Sequence, residues 1–145
     1  MVRTALMLAA LLAGPAFAQT GSQDDPVPAK AAGEGDLSIG LDSLVPAGEA
    51  CRLTFVARNG LGDDVRPVLE AVAFDAEGAV ALITLFDFGE LPEGRTRVRQ
   101  FDLPGIACGS VASILVNGVQ SCGPAEGCEA ALAVSSRAEG VEVMR

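Results

Sequence analysis

The sequence contains no histidine, no tryptophan and no tyrosine, and its only lysine is Lys30. Without histidine, the chain cannot build a Ser-His-Asp or Cys-His catalytic group, a His-ligated zinc or copper site, or an imidazole base. Lys30 lies in a stretch without apolar periodicity, which argues against a buried Schiff-base amine. These absences exclude most hydrolase mechanisms, and we expect no catalytic residues, no cofactor and no metal site.

Positive charge is also scarce, because 10 Lys and Arg residues stand against 19 Asp and Glu residues. The formal net charge is −9. A chain this acidic is repelled by phosphate backbones and by anionic lipid headgroups. We therefore expect neither nucleic acid nor a membrane surface among its partners.

What the chain does contain is a series of short strand-like runs separated by turn residues, drawn from 17 Gly and 8 Pro. The clearest run alternates strictly, with Leu53 and Phe55 on one face and Arg52 and Thr54 on the other. The seven runs cover residues 37–41, 51–58, 65–75, 79–88, 95–103, 111–116 and 131–135. This pattern predicts an all-β fold, an immunoglobulin-like antiparallel β-sandwich of about seven strands.

Residues 1–18 have the organisation of a secretory signal peptide, with Arg3, then a short apolar run, then an Ala-x-Ala end at Ala18. The apolar run is too short for a stable membrane anchor. We expect cleavage near Ala18 and a mature protein in the periplasm or outside the cell. The remaining chain is predicted to be a flexible linker (19–35), the β-sandwich domain (36–138) and a C-terminal tail (139–145).

Four cysteines in a small exported domain imply two disulfides, for which three pairings exist. If the strands follow the immunoglobulin order, Cys51 and Cys108 lie at the same end of two facing strands. Cys122 and Cys128 flank a short Gly-Pro-containing loop. We therefore predict Cys51–Cys108 and Cys122–Cys128. The alternative is a zinc site of four cysteines, which an oxidising compartment disfavours.

Alternating arginines on the fifth run suggest a binding surface. Arg95, Arg97 and Arg99 alternate, and the second run, which pairs with the fifth in this order, carries Arg52 and Arg58. Together they could form one basic stripe that docks a carboxylate-rich partner. The alternative is that neighbouring acidic residues neutralise them in ordinary surface pairs.

The run 82–88 is apolar on both faces, unlike its neighbours. At a sheet edge it would favour strand addition or an edge-strand homodimer, and otherwise its own loops would cover it. The acidic residues around it suggest solubilising charge rather than a glycosidase pair (Asp87, Glu90) or calcium ligands (Asp63, Asp64, Asp75, Glu77).

Two resemblances add to this interpretation. Segments 51–55, 74–78, 91–98 and 101–105 resemble small exported immunoglobulin-like proteins of alphaproteobacteria, a family with no assigned catalytic residues. Residues 97–138, with Gln120-Ser121-Cys122 and Cys128, resemble the N-terminal domain of the periplasmic thiol:disulfide interchange reductase. That family exchanges disulfides through such a cysteine pair, but its tyrosines beside the cysteines are missing here.

These observations favour an exported accessory or binding module of the cell envelope, which contacts an envelope protein through its surface and has no evident catalytic site. The alternative is a thiol–disulfide exchange domain that uses Cys122 and Cys128.

Overall fold

The computed structural model describes residues 35–145, so the predicted signal peptide and residues 19–34 of the predicted linker lie outside the described residues. Within the described part, the chain forms eight strands and two short helical turns. The strands are β1 (Leu37–Ala47), β2 (Ala50–Asn59), β3 (Val68–Phe74), β4 (Val80–Asp87), β5 (Thr96–Pro104), β6 (Ser113–Ser121), β7 (Leu132–Ser136) and β8 (Glu142–Met144). A 3₁₀ turn occupies Cys108–Ser110, and the single-turn helix α1 occupies Cys128–Ala131.

The strands form two four-stranded sheets that pack face to face. The first sheet has the order β5-β2-β1-β7 and the second has the order β4-β3-β6-β8. Buried side chains from both sheets form one continuous core. The predicted all-β sandwich is therefore confirmed. Each sheet is mixed rather than purely antiparallel, since β1 pairs with β7 and β6 pairs with β8 in parallel.

The immunoglobulin pairings of β1 with β2, β2 with β5 and β3 with β6 are present, whereas β4, β7 and β8 depart from the seven-strand order. β2 pairs with β5, and β3 pairs with both β4 and β6. β7 then lies beside β1, and the place next to β6 is taken by β8. Residues 139–145, which the sequence suggested were a tail, therefore include a strand of the second sheet. β8 has only three residues, too few for a period of two to stand out.

β2 carries the inward-facing pattern on which the core is built. Its inward side chains expose at most 2% of their area, and they are Cys51, Leu53, Phe55 and Ala57. The side chains between them are only partly buried. Burying a leucine or phenylalanine in this way stabilises the fold by about 1.5–3 kcal/mol relative to leaving it exposed.

Four of the six phenylalanines form one cluster between the sheets. The ring of Phe55 on β2 lies 5.5 Å from Phe86, 5.8 Å from Phe88 and 6.0 Å from Phe101. Phe86 on β4 and Phe101 on β5 stack at 4.4 Å. The edge strands β4 and β5 therefore lie on the same side of the sandwich.

The predicted disulfide pairing is also confirmed. Cys51 is bonded to Cys108 with a Cα–Cα distance of 4.8 Å, and Cys122 is bonded to Cys128 with a Cα–Cα distance of 6.1 Å. No cysteine within the described residues is free. The first disulfide joins β2 of the first sheet to the turn that leads into β6 of the second sheet.

Asn59 organises the loops at one end of the sandwich, although the sequence suggested only a turn there. Its side chain is fully buried, and its amide nitrogen donates to the carbonyl oxygens of Asp63 and Leu91, both at 2.8 Å. Its side-chain oxygen accepts a hydrogen bond from the Leu61 amide at 2.9 Å. Both N–H groups of this side chain and its oxygen therefore take part in hydrogen bonds. Through them, Asn59 fixes two loops at once.

We expect Asn59→Ala to lower the free energy of unfolding by about 2–4 kcal/mol, because the carbonyls of Asp63 and Leu91 and the amide of Leu61 would each lose a hydrogen bond. Urea denaturation of the mature protein measures this loss. The matched control is Asn117→Ala, which removes an exposed asparagine from β6 and should cost less than about 1 kcal/mol. Equal losses for the two variants would contradict the assignment.

Candidate functional site

The strand register divides the five arginines of the predicted basic stripe between two faces. On β2, Arg52 and Arg58 point away from the core. On β5, Arg99 lies opposite Phe55 and Arg97 lies opposite Ala57. Directly opposed residues of antiparallel strands project to the same face, so Arg97 and Arg99 project toward the space between the sheets. The prediction of a single basic stripe is therefore wrong.

The sequence held a signal for this arrangement. Phe101 and Leu103 have the same parity along β5 as Arg97 and Arg99. Because both apolar residues face the core, a period of two places the two arginines on the inward face at the more open end of the strand. Arg95 precedes β5 and lies in the loop that leads into it.

Arg99 ties β5 to the loop that follows β4. Its Nε donates to the carbonyl oxygen of Phe88 at 2.6 Å, and its Nη2 donates to the carbonyl oxygen of Glu90 at 3.1 Å. The Nη1 of Arg97 donates to the carbonyl oxygen of Thr96 at 3.2 Å. The guanidinium groups thus satisfy backbone carbonyls of their own chain, which is a structural role.

Arg52 is engaged by a carboxylate of the neighbouring strand. Its Nε and Nη2 donate to the two oxygens of Asp102 at 2.7 and 2.8 Å. The hydrogen bonds from Arg52 lower the pKa of the Asp102 carboxyl from its ordinary value. The pair therefore adds stability above the pH at which unfolded Asp102 ionises, and this stability is lost as the pH falls through the folded pKa. Both side chains are more than 40% exposed, so the contribution is small and screened by salt.

Other acidic residues fix turns or form surface pairs. Asp87 accepts from the Gly89 amide at 2.8 Å, and Asp75 accepts from the amides of Glu77 and Ala79. Glu90 forms an exposed ion pair with Arg66 at 2.6 Å. Within residues 35–145, no group of three or more His, Cys, Asp or Glu side chains could hold a metal ion.

The Cys122–Cys128 disulfide closes a loop between β6 and α1. Cys122 directly follows β6 and is partly exposed, whereas Cys128 opens α1 and exposes only 1% of its area. An attacking thiolate would therefore reach Cys122 and would have to release the Cys128 thiolate into an apolar environment. Such surroundings solvate a thiolate poorly, which makes Cys128 an unfavourable leaving group.

The outer face of the second sheet carries a row of apolar side chains across all four strands. The register pairs Ile83 with Val72, Val72 with Leu115, and Leu115 with Met144. We name these four residues the apolar row. Ile83 is 61% exposed, whereas Val72 is buried although it lies outside the core cluster, so its neighbours on the outer face cover it.

The residues beside the apolar row differ at its two sides. On one side, Phe74 of β3 pairs with Val80 of β4, which is 54% exposed. On the other side, Leu85 is 55% exposed and pairs with Glu70, which accepts a hydrogen bond from Asn117. Phe74 and Val80 therefore continue the apolar area toward the β3–β4 hairpin. On the other side, Glu70 and Asn117 bound it with polar groups.

The outer face of the first sheet is polar by comparison. Its outward side chains include Ser38, Thr54 and Gln100, and Gln100 donates to Thr54 at 3.2 Å. Its outward apolar side chains are Val45, which is 46% exposed, and the opposed pair Val56 and Val98, of which Val98 is 57% exposed. Small apolar groups of this kind are normal on a surface, whereas a contiguous row across four strands indicates an interaction site.

β4 is an edge strand. The sequence left open whether the apolar run 82–88 lies at a sheet edge or is covered by its own loops, and the structure places it at an edge. This strand is one of the two outermost strands of the second sheet, opposite β8, and pairs only with β3 among the described residues. The strand contains no charged residue between Val80 and Phe86. The other long edge strand, β5, carries two arginines, an aspartate and a terminal proline, which protect edges against unwanted pairing.

Comparisons with known proteins identify no relative: no protein-family model, curated protein or solved structure matches the chain. No helix among residues 35–145 has the length and apolar character needed to cross a membrane. The candidate site therefore rests on the geometry of this chain alone.

The two disulfides should differ in their contribution to stability, because they close loops of different length. Replacing Cys51 and Cys108 by alanine removes a crosslink over 57 residues and should cost about 4 kcal/mol on the chain-entropy model. Replacing Cys122 and Cys128, which are 6 residues apart, should cost about 2 kcal/mol. Thermal and urea denaturation of the two double variants tests this order, and a larger loss for the second variant would contradict it.

Proposed function

We propose that this chain is an exported binding module of the cell envelope that engages a protein partner through the outer face of its second sheet. The observation that carries the proposal is the apolar row, which crosses four strands on the side of the sheet that faces away from the core. Within the row, Val72 is already covered by its neighbours, whereas Ile83 is 61% exposed and would be removed from water when another molecule covers the face.

The composition supports a protein as the partner. The net charge of −9 disfavours nucleic acid and anionic lipid surfaces. The apolar row itself contains no charged side chain, so it is matched by an apolar protein surface with a polar rim. Glu70 and Asn117 beside the row would contribute to such a rim.

Export is supported by the signal-like residues 1–18 and by the two disulfides. Disulfides persist in the periplasm and outside the cell, and they are rare where glutathione keeps thiols reduced. The absence of histidine from the chain and of a metal-binding cluster from the described residues supports binding rather than catalysis.

Photo-crosslinking in cells tests the proposed face. A photoreactive amino acid at Met144 should yield adducts with an envelope protein, because Met144 ends the apolar row at the edge opposite β4. Met144→Lys should weaken capture of the same protein from envelope extract by at least about tenfold, since a lysine would be desolvated in the interface.

The control is Val98, an apolar residue that is more exposed than Met144 but lies on the outer face of the other sheet. The photoreactive amino acid at Val98 should give no adduct with this protein, and Val98→Lys should leave its capture from envelope extract unchanged. If Met144 gave no adduct in the compartment where the protein resides, or if both positions gave the same adducts, the proposed face would be abandoned.

The second candidate function is thiol–disulfide exchange through Cys122 and Cys128. Its support is that Cys122 is partly exposed in a surface loop, where a partner thiolate could attack it. The reduction potential of this pair separates the two functions. We expect a value below about −300 mV, typical of structural disulfides, whereas a potential near those of exchange proteins would favour this second function.

A further inference from the structure

We propose that the β4 edge pairs with the β4 edge of a second copy of this chain, in antiparallel orientation about a two-fold axis at Thr84. The proposal rests on the proposed function, because pairing at the β4 edge would extend the outer face proposed to bind a partner. The second copy would occupy the edge that borders this face. It follows from the direction of the backbone groups of β4, from the composition of the strand and from the register in which two copies fit.

The backbone groups of β4 alternate in direction, and one hydrogen bond fixes which of them point outward. The amide of Phe88 donates to the carbonyl oxygen of Pro67 at 3.0 Å, so residue 88 points toward β3. Alternation then directs the groups of Phe86 and Thr84 toward β3 and those of Leu85 and Ile83 away from the sheet. These outward N–H and C=O groups are available to another strand.

The central part of the strand lacks the devices that prevent such pairing. Edge strands are protected by lysine, proline, inward-pointing charge, short length or a β-bulge. β4 has eight residues with none of the first four before Asp87, and its register irregularity lies at its beginning, between Val80 and Leu82. Its outward side chains Val80, Ile83 and Leu85 are 54–61% exposed. β5 on the same side of the sandwich carries Arg97 and Arg99, so this side is less acidic than the chain as a whole.

Two copies of β4 fit best in the register centred on Thr84. In this register, Ile83 of each copy lies opposite Leu85 of the other, and the outward groups of both residues form about four backbone hydrogen bonds. A register centred on Leu85 would place Ile83 opposite Asp87. A register centred on Ile83 would place Leu85 opposite Ala81, at the irregularity where β4 and β3 shift register.

Charge permits this arrangement in spite of the acidic composition. With the axis at Thr84, the two copies of Asp87 lie about 20 Å apart along the strands. This separation exceeds the Debye length of about 8 Å at physiological ionic strength, so their repulsion is screened. The contact itself is made by uncharged side chains from Val80 to Phe86.

The pairing would join two second sheets into one sheet of eight strands. The apolar row of each copy would then continue across the axis into that of the other, because Ile83 lies at the edge and belongs to the row. Dimerisation would thus double the width of the surface proposed to bind the envelope partner. A two-fold axis makes this contact closed, so pairing stops at two copies.

Sedimentation of the oxidised mature protein (residues 19–145) tests the proposal. The wild-type protein should reach a monomer–dimer equilibrium, and Leu85→Lys should raise the dissociation constant at least about tenfold by placing a charge opposite Ile83. Val98→Lys, the matched substitution on β5, should leave the dissociation constant unchanged. Thermal melting should show that both variants remain folded. A wild-type protein that stays monomeric, or equal effects of the two substitutions, would overturn the dimer.

A cysteine crosslink tests the register separately. Opposed residues at the axis form a non-hydrogen-bonded pair with Cα atoms about 4.5 Å apart, a distance that a disulfide can span. Thr84→Cys should therefore give a covalent dimer on mild oxidation, and Val98→Cys should not. A dimer in sedimentation without the Thr84 crosslink would overturn the proposed register.

The two proposals fail in different experiments. Loss of the dimer together with intact Met144 adducts would remove the self-pairing and leave the binding face in place. A dimer without any Met144 adduct would remove the envelope partner and leave the self-pairing of β4.

Discussion

The contacts of Phe55 with three other phenylalanine rings hold the two sheets together on the side where both sheets have a long edge strand. Phe86 and Phe101 bring β4 and β5 side by side, and Phe88 fills the space beside them. Because the chain has no tryptophan or tyrosine, these rings provide most of the large aromatic area available to the core. Once they are packed, the direction of every side chain on β4 and β5 is fixed, and with it the chemistry of both outer faces.

This constraint explains why charge and apolar area are separated on the molecule. On the first sheet, the inward alternation that buries Phe101 also turns Arg97 and Arg99 inward, where Arg99 binds loop carbonyls. The outward face of that sheet carries mainly polar side chains, the Arg52–Asp102 pair and a few valines, including Val98. On the second sheet, the alternation that buries the core residues turns apolar side chains outward as well. The surface proposed to bind a partner therefore follows from which side chains of each strand point inward and which point outward.

The ends of the sandwich are fixed by a different kind of interaction. The fully buried Asn59 side chain bonds to both loops at one end, and the Cys51–Cys108 disulfide joins the sheets at the other end of β2. Both interactions involve loops and strand ends, so neither of them covers β4 or the outer faces of the sheets. In this way, a small domain with a modest aromatic content can have an apolar outer face and still keep one well-defined core.

The sequence by itself determined the all-β class, the approximate position of seven strands and the Cys122–Cys128 pair, because the period of two and a spacing of six residues are local signals that survive without contacts. The Cys51–Cys108 pair, 57 residues apart, was predicted from the sequence only with an assumed pairing of distant strands. The sequence also identified the apolar run in β4, but left open whether that run was an edge. Only the tertiary structure decided the strand order, the short β8 and the buried state of Asn59, and it revealed the division of the arginines between faces, for which the alternation of Arg97 and Arg99 with Phe101 was a signal. A period of two fixes which residues share a face, whereas pairing between distant strands decides which of the two faces meets the core.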